Sequence, residues 1–184
     1  MNKPIITIFF ILATMISCKQ SNKQGQNQDF NTKFLTYLER IDSVSLPYSA
    51  SCFDFIDLEN TGKYADLIDT TYASEWELPY GKIKTNGNYK IVIYLCPADI
   101  FVPIMRTFDL KGKRISEFKF FTNCGGEPGF RERQFVNINN DFQIIKKDSI
   151  WRWDLDQNHN EIDSTMKIKV IETILTIDEN GLIK

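Results

Sequence analysis

The sequence predicts an α+β, mainly β fold, with one N-terminal amphipathic helix followed by an antiparallel meander whose sheet is curled or forms an open barrel. Three observations carry this. Residues 30–43 place apolar side chains at helical spacing. Tyr89 to Leu95, YKIVIYL, is a nearly unbroken β-branched and aromatic run, as a central strand buried on both faces requires. After it, short strand-like runs alternate with local turns, and strands joined by tight turns are antiparallel neighbours.

In the helix, Phe30, Phe34, Leu38 and Ile41 share one face with Leu35 beside them, while Lys33, Glu39 and Arg40 fall elsewhere. Asp29 or Asn31 can cap its start, and Leu46-Pro47 stops it. Such a face packs on a sheet; docking of a partner is the other reading. Residues 47–88 are less legible. They hold turns at Asn60-Thr61-Gly62 and Asn86-Gly87-Asn88, and Tyr64 to Tyr72 reads as a short helix or a strand. Beyond the central strand, Ile104 to Phe108 turns through Asp109 to Lys113 into Arg114 to Phe121. Phe135 to Ile138 and Phe142 to Lys146 flank an Asn139-Asn140-Asp141 turn. Ser149 to Leu155 and Met166 to Ile177 form a third pair, and after the Asp178 to Gly181 turn Leu182-Ile183 closes the sheet edge.

The first residues carry different information. Met1-Asn2-Lys3 is a short cationic head, Pro4 to Leu12 (PIITIFFIL) is an apolar core too short to span a bilayer, and Ser17 puts a small side chain before Cys18. After Cys18 come ten residues without one apolar side chain. The arrangement resembles the bacterial lipoprotein signal peptide, with Met15, Ile16, Ser17 and Cys18 in the lipobox positions and Met15 standing where leucine is commonest. The resemblance covers the leader alone. It implies cleavage after residue 17, a diacylglycerol thioether on Cys18, acylation of the new amino terminus, and a place in the cell envelope. That place is the outer membrane or the periplasmic face of the inner membrane. Two or three acyl chains anchor durably where one does not. A plain secretory signal, or a short uncleaved anchor, is the alternative. The organisation is then a leader over 1–17, an acylated cysteine and flexible Gln/Asn/Lys-rich tether over 18–29, and one mainly β domain over 30–184.

A formal charge of -2 and a pI of about 5.5, with cations scattered among acids, argue against a nucleic-acid partner. Of the cysteines left after Cys18, Cys96 and Cys124 each end a strand one hairpin apart and are the favoured disulfide, with Cys52 left over; connectivity is not legible from sequence. Cys124-Gly125-Gly126 has the look of a thiol beside flexible backbone donors, yet the single histidine, His159, lies in a distant polar loop. Asp154 to Asp163 starts with the oxygen alternation of a calcium loop, then puts His159 where glycine is needed and Thr165 where a closing glutamate belongs. It reads as a solvated hairpin loop, so neither metal nor cofactor is expected. Trp151 and Trp153, two apart on a strand, project from one face. They are core, or else a stacking platform for a ligand. Glu75 and Glu77 share one side of an extended segment and raise a glycosidic hydrolase of envelope polymers as an alternative. The expectation is a membrane-anchored, non-enzymatic module binding an envelope protein or an apolar ligand. A structural or immunity-type blocking module is a further alternative.

Overall fold

The computed structural model describes residues 32–52, 62–98 and 101–184. The leader, Cys18, the tether and the Asn60-Thr61 turn lie outside the described residues. Helix α1 spans 32–39. The strands are β1 (Ser43–Val44), β2 (Tyr48–Ser51), β3 (Leu78–Ile83), β4 (Tyr89–Cys96), β5 (Val102–Asp109), β6 (Arg114–Lys119), β7 (Gly125–Glu127), β8 (Phe130–Ile138), β9 (Gln143–Arg152) and β10 (Lys167–Thr176). A 3₁₀ turn at Gly62–Leu67 occupies part of the stretch that the sequence left ambiguous between helix and strand.

These strands do not make one curled sheet. They form two sheets that are not joined into a barrel: β1-β3-β4-β5-β6, and β10-β9-β8-β2 with β7 added beside β8. The hairpin β5–β6 is antiparallel as expected, and β4–β5 is antiparallel too. The runs 142–146 and 149–155, expected as strands of separate hairpins, are instead one strand, β9, which pairs antiparallel with both β8 and β10. The break falls after β6, where the chain crosses from the first sheet to the second. Two pairings have no local turn to announce them: β1 runs parallel to β3, and β2 crosses to lie antiparallel to β8.

Alternation along β4 and β5 explains the layers. Ile91, Ile93 and Met105 face the second sheet, where Ala50, Val136, Ile138 and Ile144 meet them in one buried cluster. Val92, Tyr94 and Phe108 point the other way, onto Phe34, Tyr37, Leu38 and Ile41 of α1 and the residues just after it. The central strand is thus covered on both faces, which is why its sequence is continuously apolar. Leu35, grouped with the apolar face by its spacing, is exposed instead. The end of α1 is held by Lys82, whose Nζ donates to the Leu38 carbonyl at 2.7 Å. Gly112, with φ of 81°, turns the β5–β6 hairpin directly beneath α1; a Cβ there would lie 2.8 Å from the rings of Phe34 and Tyr72.

The disulfide joins Cys52 to Cys124, not Cys96 to Cys124. Cys52 follows β2 and Cys124 precedes β7, and both strands pair with β8, so the second sheet brings their Cα atoms to 6.1 Å across 72 residues of sequence. Cys96 ends β4 in the other sheet and is free. Buried Gln134 on β8 sets the local geometry. Its backbone N–H donates to Cys52 Sγ, and its side-chain oxygen accepts from the N–H of Thr122 and Asn123 at 2.8 and 3.3 Å.

Candidate interaction face and the adjoining cleft

Only one end of the second sheet packs on the first. Val136, Ile138 and Ile144 are fully buried, but toward the far ends of β8, β9 and β10 the strands leave that cover. Every residue from Lys167 to Ile174 is exposed. The face turned away from the first sheet carries Arg131, Arg133 and Phe135 of β8, Lys147, Ser149 and Trp151 of β9, and the even-numbered residues of β10. Ile168, Val170 and Ile174 are 55%, 60% and 56% exposed there, an apolar stripe that a packed sheet would bury.

Trp151 and Trp153 belong to this face and are half-buried, neither core nor bare. The Arg133 guanidinium lies 5.8 Å from the Trp151 ring centroid, and that of Arg131 lies 5.0 Å from the Trp153 ring, both in cation–π range. The two arginines were not singled out by sequence reasoning, although a signal was present. Once the turn at 139–142 sets Ile138 opposite Ile144, equal steps along the hairpin put Arg131 opposite Trp151. The helix of 32–39 takes no part. It lies on the opposite side of the first sheet, and so does not border the tryptophans.

Beside this face opens a cleft of about 760 Å³ lined by Gly125, Gly126, Arg131, Arg133, His159 and Glu161 among others. Two groups separated in sequence, the Gly-Gly pair and His159, therefore line the same cleft. The nucleophile that would connect them does not exist here, because the Cys124 sulfur is bonded to Cys52. Arg131 donates to Glu161 at 3.0 Å, and the other Glu161 oxygen accepts from the Gly129 N–H, so that carboxylate pins the cleft wall. Within the 154–165 loop, Asp156 and Thr165 turn their oxygens to the loop's own backbone. Asp156 accepts from the N–H of Asn158 and Asn160, both at 2.8 Å; these bonds, with Asn160 foremost, hold its carboxyl below the usual range. Thr165 Oγ1 accepts from the Asp154 N–H at 2.8 Å. Among the described residues no group of His, Cys, Asp and Glu is placed to hold a metal ion.

The carboxylate pair suggested for hydrolysis is dispersed. Residues 74–77 form a turn, not an extended segment, with the Glu77 N–H donating to the Ser74 carbonyl at 3.1 Å. Glu75 consequently faces solvent, while Glu77 is buried on the α1 side of the first sheet. There Arg106 grips Glu77 through two bonds of 2.6 and 2.7 Å, bonds Glu117 at 2.8 Å, and lies 5.1 Å from the Tyr94 ring centroid. Burial by itself would raise the Glu77 carboxyl, but the Arg106 hydrogen bonds and the Ser74 N–H outweigh it and hold the group below its ordinary value. Tyr37 donates to Tyr94 in the same layer, and burial pushes the Tyr37 phenol up to about 12. These residues hold α1 and the first sheet together, far from the tryptophan face.

No protein-family model, no curated protein and no solved structure matches this chain.

Proposed function

We propose that this chain is a lipid-anchored envelope protein that works without chemistry of its own, binding a protein partner through the uncovered face of the second sheet. The observation that carries the reading is the Arg131–Trp153 and Arg133–Trp151 pair of stacks set beside the exposed Ile168, Val170 and Ile174. Tryptophan and arginine dominate binding hot spots because they combine large apolar area with directed charge. A guanidinium already laid on an indole is also partly ordered before contact, which lowers the entropic cost of association. A protein partner is favoured over an apolar small molecule because the layer between α1 and the first sheet is filled by Phe34, Tyr37, Tyr72, Tyr94 and Phe108. The leader and Cys18 support the placement on a membrane, reached by a tether of about a dozen residues.

The test uses the full chain expressed in bacteria and fed labelled palmitate. Label should enter the parent and be absent from Cys18→Ala; a parent without label overturns the anchor. Partners cross-linked in cells and recovered from detergent-solubilised membranes should be lost from Trp151→Ala and Arg133→Ala chains that melt like the parent. Equal recovery by those variants overturns the binding face.

A further inference from the structure

The outer edge of β10 raises a question separate from that face. β10 is ten residues long, contains no proline, and pairs with β9 in unbroken register from Lys167 opposite Arg152 to Thr176 opposite Gln143. Among the described residues no strand lies on its other side. Natural sheets blunt such edges with bulges, prolines or charges, since a long flat edge templates pairing with another strand. β10 has neither bulge nor proline, and carries the charges Lys167, Lys169 and Glu172, of mixed sign.

The backbone direction of that edge is legible. Thr176 exchanges both backbone hydrogen bonds with Lys184, at 3.0 Å each, whereas the Ile177 N–H points inward to the Phe142 carbonyl. Alternate residues of a strand direct their peptide groups to the same side. Ile168, Val170, Glu172 and Ile174 therefore aim N–H and C=O groups outward, and the tail ending at Lys184 occupies the edge only from Thr176 onward.

We propose that β10 pairs antiparallel with β10 of a second copy, on a two-fold axis through Ile171, making one continuous sheet across two chains. In this register Ile168 meets Ile174 of the second copy, Val170 meets Glu172, Lys169 meets Thr173, and Lys167 meets Leu175. No like charges stand opposite one another. All four outward-directed residues fall at hydrogen-bonded positions, and pairing stops where each tail begins. A shift of two residues one way opposes Glu172 to Glu172 and drives Ile168 into the place held by Lys184. The opposite shift exchanges the Val170–Glu172 pair for Ile168–Glu172 and sends Ile174 opposite Met166, outside β10, so the ladder is shorter. Opposed like charges and lost pairs each weaken an antiparallel ladder. The chosen register also extends the apolar stripe, because Trp151 neighbours Ile168 and Ile174 of the second copy neighbours its Ile145. The pairing is isologous and closes as a dimer. It requires neither the anchor nor the partner proposed above.

Ile171 faces itself at a non-hydrogen-bonded position, where opposed Cα atoms lie about 4.5 Å apart. In the full chain carrying Cys96→Ser, Ile171→Cys should give a reducible covalent dimer under mild oxidation, above the background of the Cys96→Ser parent. Lys169→Cys and Thr173→Cys should self-link weakly and link to each other when co-expressed. An Ile171→Cys chain that stays monomeric, or equal cross-linking at all three positions, overturns the proposal. As a second measurement, Ile171→Lys should weaken dimerisation by roughly tenfold or more, and co-expression with Ile171→Glu should restore a mixed dimer. A parent that sediments as a monomer, or a mixture that fails to pair, overturns it as well.

Discussion

Replacing Glu77 with alanine strands the Arg106 guanidinium between α1 and the first sheet. Glu77 and Arg106 are 5% and 6% exposed, and the two bonds between them measure 2.6 and 2.7 Å. Removing one member of such a pair costs about 3–5 kcal/mol, because the survivor keeps its charge without its partner. Glu117 remains 2.8 Å from Arg106 with its side chain 29% exposed, so the loss should fall near the lower end, about 3 kcal/mol. At about 2–4 °C per kcal/mol for a chain of this size, the melting temperature should fall by about 6–12 °C. Denaturant and thermal melts followed by near-UV circular dichroism measure both quantities. The double variant Glu77→Met/Arg106→Met should be less damaging than Glu77→Ala alone, since no charge is left buried. The sign of the acid response follows from the lowered Glu77 carboxyl. Its contribution is complete above the unfolded value of about 4.3 and is lost as pH falls through the lower folded value. The parent should therefore lose stability more steeply than Glu77→Gln below about pH 4.3. A Glu77→Ala cost under about 1 kcal/mol, or additive losses in the double variant, would refute a buried pair of this strength.

Two further outcomes can be read from the same melts. Reduction, or Cys52→Ser with Cys124→Ser, should cost up to about 4 kcal/mol because the bond closes a loop of 72 residues, whereas Cys96→Ser should cost under about 1 kcal/mol. Gly112→Ala should cost about 2 kcal/mol or more, since φ of 81° disfavours a side chain and the new Cβ meets Phe34 and Tyr72; a neutral result would mean that the hairpin does not press on α1 as described.

The limits of legibility fall at identifiable places. The hairpins at 109–113 and 139–142 were readable because Asp109 and Asn139 each accept from two backbone N–H groups within four residues, a device contained in the local sequence. β3, LPYGKI, was missed because its proline and glycine disguise a strand whose partners, β4 and β1, lie on either side. The paired tryptophans were noticed, but their exposure depended on how far β9 runs past the cover of the first sheet. Arg106 carried no motif, and the Glu75/Glu77 spacing suggested a carboxylate pair instead; the turn at 74–77 aims Glu77 at Arg106.

By itself the sequence determined the mainly β character, a short helix ahead of the strands, the turns at 109–113 and 139–142 and the continuous burial of Tyr89 to Leu95. Turn chemistry and side-chain period act over a few residues, and that is the range at which a single chain can be read. Tertiary structure alone decided that the strands divide into two sheets, that Cys52 rather than Cys96 meets Cys124, and that among the described residues no strand covers the outer edge of β10 before Thr176. The disulfide depends on β2 crossing from residue 48 to pair with β8, a contact favoured by the summed burial of Ala50, Val136 and Ile138 rather than by any local signal.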